Sequence, residues 1–316
     1  MLELNEKAHQ VLKEVNKVIL GKEKEIQEVM TAFLANGHVL LEDIPGVGKT
    51  TLANAFSAAM TLDCKRVQFT PDVMPSDLTG FSVYRRDQDK FVYQPGSVFC
   101  NLLLADEINR TSPKTQSALL EVMEERKVSA EGITRPVPDP FLVIATQNPS
   151  GTSGTQFLPD AQIDRFMINM SIGYPDFKSE LEIAKTVGKE ARVSAVSPVL
   201  DAKTLVQMQD DVHNIYIKDE VYNYMLQLVT ATRNHQHIQR GASPRATIAL
   251  VMMSKAAAWL SGREFVIPTD VQTQLPFVMT HRIKLNSAAK MSGISKNEVI
   301  QNIVKSVELP YMGAKK

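Results

Sequence analysis

Residues 38–60 read HVLLEDIPGVGKTTLANAFSAAM: a short apolar run, a turn holding two glycines, and an alanine-rich stretch with Leu52, Phe56 and Ala59 near helical spacing. A buried strand that passes through a tight turn into a helix is the junction of an α/β unit. It restricts the chain to folds with a mostly parallel sheet covered by helices. Gly46 and Gly48 stand where a side chain would demand a strained φ or block the approach of a ligand, and Lys49 and Thr50 follow at once. This order matches the end of the phosphate-binding pattern G-x-x-x-x-G-K-[ST]. In that pattern backbone N–H groups cradle a β-phosphate, the lysine neutralises its charge, the hydroxyl ligates Mg²⁺ and the helix N-terminus faces the anion. Pro45, Val47 and Thr51 complete the loop. The pattern opens on glycine, however, and this chain has Asp43 there. Aspartate visits left-handed conformations readily, so Asp43 is compatible with the pattern if its carboxylate is directed away from the phosphates. The alternative is a surface turn that merely carries glycine and lysine; the strand before it and the helix after it weigh against that.

Four more apolar runs recur in the first half, at 66–69, 101–105, 141–145 and 167–172, and helical patterns separate most of them. The clearest helix starts at Ser112-Pro113, a capping residue followed by proline at the first helical position. Residues 81–93 and 126–138 pair β-prone runs across turn signals and are candidate hairpins, with ordinary loops as the alternative. After GYPD at 173–176 the strands are expected to stop, and helical patterns follow at 177–190, 201–214, 219–234, 244–261, 269–282 and 296–307. A chain of 316 residues, 44% hydrophobic, can hold two cores. The expected division is a three-layer α/β domain over 1–176 and a helical domain over 177–316.

Lys+Arg and Asp+Glu both number 35, which gives no composition-level support for nucleic-acid or membrane-surface binding. No apolar run approaches the roughly 18 residues of a membrane span, and the start MLELNEKAHQ lacks a signal-peptide core. A cytoplasmic protein is expected. Cys64 and Cys100 fit buried reduced thiols better than a disulfide or metal site. His235 and His237, two apart, make a poor metal pair, and Trp259 with Met252 and Met253 reads as a packed core face. The charged run from Lys13 to Val29 reads as a solvated helix face.

Asp106 and Glu107 end the run LLLADE, where open α/β sheets hold their ligands. Asp106 suits the Mg²⁺ shell, and Glu107 suits polarising the water that attacks a γ-phosphate. Asn148 ends the next strand in ATQNP, placed to hydrogen-bond γ-phosphate and water; a turn-forming Asn-Pro is the plain alternative. Arg165, just before the last strand, suits reaching a neighbouring subunit's nucleotide, with an ordinary ion pair to Asp160 or Asp164 as the alternative. Arg245 in GASPR lies in the first turn of a helix, from which it could cross to the phosphates.

Taken together, HVLLEDIPGVGKT, LLLADEINRTSPKTQSALLEVMEE, ATQNP, DAQIDRFMINMSIGYP and GASPRA resemble the MoxR family of AAA+ ATPases over nearly the whole chain. Several members of that family begin the loop with an acid. The resemblance implies a P-loop α/β/α core with a parallel five-stranded sheet in the order 5-1-4-3-2, a C-terminal all-helical lid, ATP and Mg²⁺ as cofactors, and a homo-oligomeric, hexameric ring. It implies Lys49 and Thr50 as Walker A, Asp106 and Glu107 as Walker B, Asn148 as sensor 1, Arg165 as the arginine finger and Arg245 as sensor 2, with Arg110 a second arginine that could act in trans. VILGK at 18–22 matches the segment that cradles adenine, with Val18, Ile19 and Gly21 at the base. The hairpins match elements that line the pore or touch clients. The implied function is Mg-dependent ATP hydrolysis driving remodelling or assembly of a partner protein, such as one carrying a von Willebrand factor A domain. The alternatives are a nucleotide-gated binding module with negligible turnover, or the motor of a chelatase-like complex.

Overall fold

The computed structural model describes residues 1–44, 46–147, 158–185 and 195–311. It begins with α1 (Leu2–Asn16) and α2 (Glu23–Leu34), joined by a turn. The charged residues Lys13, Lys17, Glu23 and Lys24 are exposed and form the expected solvated face, while the opposite face is buried. Val11 and Val15 of α1, and Ile26, Val29, Met30 and Phe33 of α2, are buried, because apolar residues recur every three or four positions between the charges.

β1 (Val39–Glu42) and α3 (Lys49–Ala59) flank the glycine turn; β2 (Cys64–Gln68), α4 (Pro75–Thr79), β3 (Gly80–Arg85) and β4 (Lys90–Pro95) follow. Next come β5 (Leu102–Asp106), a single 3-10 turn at 108–110, α5 (Pro113–Glu125), β6 (Lys127–Ala130), β7 (Ile133–Pro136), β8 (Leu142–Gln147), α6 (Asp160–Ile163) and β9 (Ile168–Met170). The main sheet runs β2-β5-β8-β1-β9, every pair parallel, which in order of appearance is 5-1-4-3-2. α5 starts as its sequence dictates: Ser112 Oγ accepts the Thr115 N–H at 3.3 Å and Pro113 takes the first helical position.

Both candidate hairpins form, β3 against β4 and β6 against β7. In the second, Glu131 and Gly132 form the two-residue turn with φ of 56° and 76°, the left-handed pair that a tight hairpin requires. Ser82 Oγ and N–H both donate to the Glu131 carboxylate, tying the two hairpins together.

The second half contains α7 (Phe177–Lys185), α8 (Ala202–His213), α9 (Asp219–Arg233), β10 (Ile238–Arg240), α10 (Pro244–Leu260), α11 (Pro268–Met279), β11 (Lys284–Leu285), α12 (Ser287–Met291) and α13 (Lys296–Ser306). The expected absence of strands is corrected by β10 and β11, which pair antiparallel. Three and two residues are too few to leave an alternating pattern.

The pleat sends Leu40, Leu103, Val143 and Ala145 to one side, where they pack with Leu119 and Leu120 of α5. Val39, Leu41, Leu104 and Ile144 face α1, α2 and α3, and that cluster continues without a break into α8–α11 and α13 around the fully buried Trp259. Polar bonds run across the same contact: Asn5 Nδ2 donates to the Trp259 carbonyl at 2.6 Å, and Gln209 Nε2 to that of Phe33 at 2.8 Å. The chain passes from β9 to α7 over 171–176, and the packing runs across this passage.

Candidate active site

Gly46 and Gly48 have φ of 89° and 94°, conformations that an L side chain rarely adopts, and nothing lies within 4 Å of where a Gly46 Cβ would stand. The space this leaves is continuous with a cavity of about 420 Å³. Gly46, Gly48, Lys49, Thr50 and Thr51 form one wall, and Arg66 and Gln68 of β2 with Asp106 and Glu107 form the other. Lys49 is buried, and its Nζ donates to the carbonyls of Asp43 at 2.9 Å and Ile44 at 3.3 Å. Burial lowers the pKa of this ammonium from the usual lysine value, while the carboxylates of Asp43, Asp106 and Glu107 act in the opposite sense.

Asp43 does not take the left-handed conformation weighed for it, and its side chain is turned away from the loop instead. Its carboxylate accepts from Ser171 Oγ at 2.6 Å, Ile172 N at 2.6 Å and Gly173 N at 3.0 Å, in the chain leaving β9. The carboxylate is therefore directed into the chain leaving β9, while the main chain of Asp43 faces the loop.

Across the cavity, Asp106 Oδ1 accepts from Thr146 Oγ1 at 2.7 Å and Oδ2 pairs with Arg66 at 2.6 Å. Glu107 sits at φ 57°, its N–H donating to the same Thr146 hydroxyl at 2.9 Å. Its Oε2 accepts from Gln68 Nε2 at 3.0 Å and Arg110 at 2.7 Å. Arg110 thus engages the acid of its own chain. Thr146 ties the Asp106 carboxylate to the main chain of Glu107, a role that strand position alone did not reveal. Arg66 and Gln68 were also missed, although their i, i+2 spacing on a strand puts them on one face.

The donor set fits a triphosphate: a buried ammonium, glycine turns with open space, and the first-turn amides of α3, which a helix cannot pair within itself. Among the described residues no cluster of three or more metal-ligating side chains occurs, so an ion held by Thr50 and Asp106 would take its remaining ligands from phosphate and water. Val18 and Ile19 are buried, and Ile19 Cδ1 lies 4.0 Å from where a Gly48 Cβ would be. Gly21 has φ 69°, and a Cβ there would run into Ser179 Oγ. Pro45 and Asn148 lie outside the described residues.

Arg165 donates to the Leu120 carbonyl at 2.9 Å and pairs with Glu124 at 3.1 Å; the ion pair weighed for it with Asp160 or Asp164 is taken by others. Asp160 pairs with Arg240, and Asp164 with Arg282 at 2.7 Å. Arg245 also pairs with Glu124. Arg245 is absent from the wall of this cavity and is held at the far end of α5. α5 has 13 residues, so it spans about 20 Å between the Glu107 end and Glu124.

Parallel strand order, glycine loop and strand-ending acids together define a P-loop ATPase of the AAA+ class. Residues 38–168 match the ATPase family associated with various cellular activities (AAA), and residues 230–303 match an AAA lid domain. YeaC of Bacillus subtilis, an uncharacterized protein, is 44% identical, with 94% of this chain and 92% of that one aligned. Chaperone MoxR1 of Mycobacterium tuberculosis is 38% identical over 95% of this chain and 82% of its own. The crystal structure of an ATPase candidate from Cytophaga hutchinsonii superposes with a TM-score of 0.92 at 37% identity, covering 98% of this chain and 97% of that one. The chain belongs to the MoxR family of AAA+ ATPases. No helix among the described residues is long and apolar enough to cross a membrane.

Proposed function

We propose that this ATPase hydrolyses ATP in a Mg²⁺-dependent way, in the cytoplasm, and spends the energy on remodelling or assembling a partner protein. The observation that carries the ATP chemistry is the buried Lys49 ammonium facing Asp106 and Glu107 across one cavity. Thr50 and Asp106 are the residues that would hold Mg²⁺, which would supply charge neutralisation at the phosphate oxygens. Lys49 and the amides opening α3 bind and orient the β- and γ-phosphates. Glu107 takes the proton of the attacking water, its carboxylate aimed by Gln68 and Arg110, and Asn148 positions that water. Val18, Ile19 and Gly21 cradle the adenine.

Arg165 and Arg245 serve the nucleotide of a neighbouring subunit in a homo-oligomeric, hexameric ring. Their place at the far end of α5 from Glu107 supports this. The partner meets the two hairpins, whose Phe81, Tyr84, Phe91 and Ile133 are exposed although strongly apolar. The name of the relative Chaperone MoxR1 supports a protein client. Balanced charge speaks for a protein over nucleic acid, and the family likeness for a partner with a von Willebrand factor A domain. Phosphate release with and without Mg²⁺, followed by capture of the partner on a Glu107→Gln variant loaded with ATP, tests the reading. Turnover that ignores Mg²⁺, or capture that ignores ATP, contradicts it.

A further inference from the structure

We propose that Asp43 is a positioning residue that fastens the phosphate loop to the chain leaving β9, so that restoring the glycine usual at this place in the loop pattern impairs the enzyme. The inference rests on residues 46–51 being the ATP site.

Asp43 is 4% exposed, and its carboxylate accepts three hydrogen bonds from Ser171, Ile172 and Gly173. Those three residues lie past the end of β9, where no ladder can take their N–H groups, and Asp43 is the acceptor for two of them. Hydrogen bonds to a buried ionised carboxylate are about twice as strong as neutral ones. The main chain of the same residue is committed to the loop: its N–H donates to the Gln147 carbonyl at 3.3 Å, and its carbonyl accepts Lys49 Nζ at 2.9 Å. One residue thus joins the loop lysine, the end of β8 and the exit of β9.

That exit segment also supports the other end of the nucleotide site. Gly21 packs against Asp176 and Ser179, with no room for a side chain between them. Asp176 Oδ1 accepts the Ser179 N–H at 2.7 Å and so fixes the start of α7. Residues 171–179 are therefore a common support for the 18–21 segment and the phosphate loop. When Lys49 turns onto a phosphate oxygen it gives up the Asp43 carbonyl, and the residue that feels this is pinned to the segment leading into the helical half. A glycine at 43 keeps the loop's conformational freedom and deletes this connection.

The test compares Asp43→Gly and Ser171→Ala with the parent, with Lys49→Ala as the control for the site itself. Three quantities are read: equilibrium affinity for a non-hydrolysable ATP analogue, kcat, and the analogue-dependent change in hydrogen exchange over 171–179. Asp43→Gly is expected to hold the analogue within about threefold of the parent, to lose about tenfold or more in kcat, the scale of one charge-assisted bond, and to lose the exchange response. Ser171→Ala shifts all three in the same direction by less, and carries the test alone should Asp43→Gly fail to fold. Parental kcat with a parental exchange response overturns the proposal, since Asp43 then only substitutes for glycine. Affinity and kcat falling by the same factor also overturns it, since Asp43 then serves only the fold of the loop. A Lys49→Ala variant that binds the analogue as the parent does removes the site assignment beneath the inference, a failure distinct from either.

Discussion

Arg165 and Arg245, 80 positions apart in sequence, meet on one carboxylate, that of Glu124 in the last turn of α5. Two guanidinium groups share a single acid at a half-exposed rim that Glu121 and Glu125 also line, and either could exchange that carboxylate for a second anion. A phosphoryl group presented by a neighbouring subunit is that anion in the present account. Arg165→Ala should lower kcat by about 10³- to 10⁵-fold, the range of an arginine supplied in trans. Mixing Arg165→Ala subunits with Glu107→Gln subunits should recover activity, because some interfaces then hold an intact acid and an intact arginine. No recovery at any ratio would mean that the arginine acts within its own chain or not at all.

The two sides of the cavity have separable roles. Lys49→Ala should abolish nucleotide binding, read by equilibrium fluorescence of a labelled nucleotide. Glu107→Gln should bind as the parent does and lose about 10²- to 10⁴-fold in kcat, the range of general base catalysis. A glutamine variant that turns over at the parental rate shows that Glu107 is not the base.

Glu28, on α2, is almost completely buried beside Gln274 of α11, and burial pushes its carboxyl up to about 7 from an ordinary 4.5. Because the folded-state value is the higher one, the folded chain keeps this proton while the unfolded chain releases it. The resulting penalty is absent below about pH 4.5, grows to about pH 7 and is constant above that. Glu28→Gln removes it and offers an N–H₂ donor to Gln274 Oε1, which has no hydrogen-bond partner among the described residues. The variant should be more stable by up to about 3 kcal/mol at pH 8, with the gain vanishing near pH 4.5. Urea unfolding at the two pH values checks this, and an equal effect at both would contradict it.

On the β3–β4 hairpin, Phe91 is 73% exposed and packs against Tyr84 with ring centroids 5.4 Å apart and the rings tilted by 60°. Phe91→Ser should weaken stimulation of the ATPase by a captured client. Full stimulation of that variant would move the client contact elsewhere.

Much of this arrangement was legible because its signals are local. Apolar runs bounded by Gly and Pro mark β1, β5 and β8, Ser112-Pro113 marks the start of α5, and Glu131-Gly132 marks a hairpin turn; each works through neighbours in sequence. What the sequence could not show depends on distant partners. The acceptor role of Asp43 involves residues about 130 positions away, and the pairing of Arg245 with Glu124 spans 121. The exposure of Arg66 and Gln68 to the cavity follows from β2 lying at the sheet edge, which only the strand order reveals. β10 and β11, three and two residues long, are too short to show a repeated alternation.

The most direct test is a structure of the Glu107→Gln variant with Mg-ATP. The triphosphate is expected along residues 46–51, with Lys49 on its oxygens and the ion between Thr50 and the phosphates. Nucleotide bound elsewhere while that cavity stays empty would contradict it.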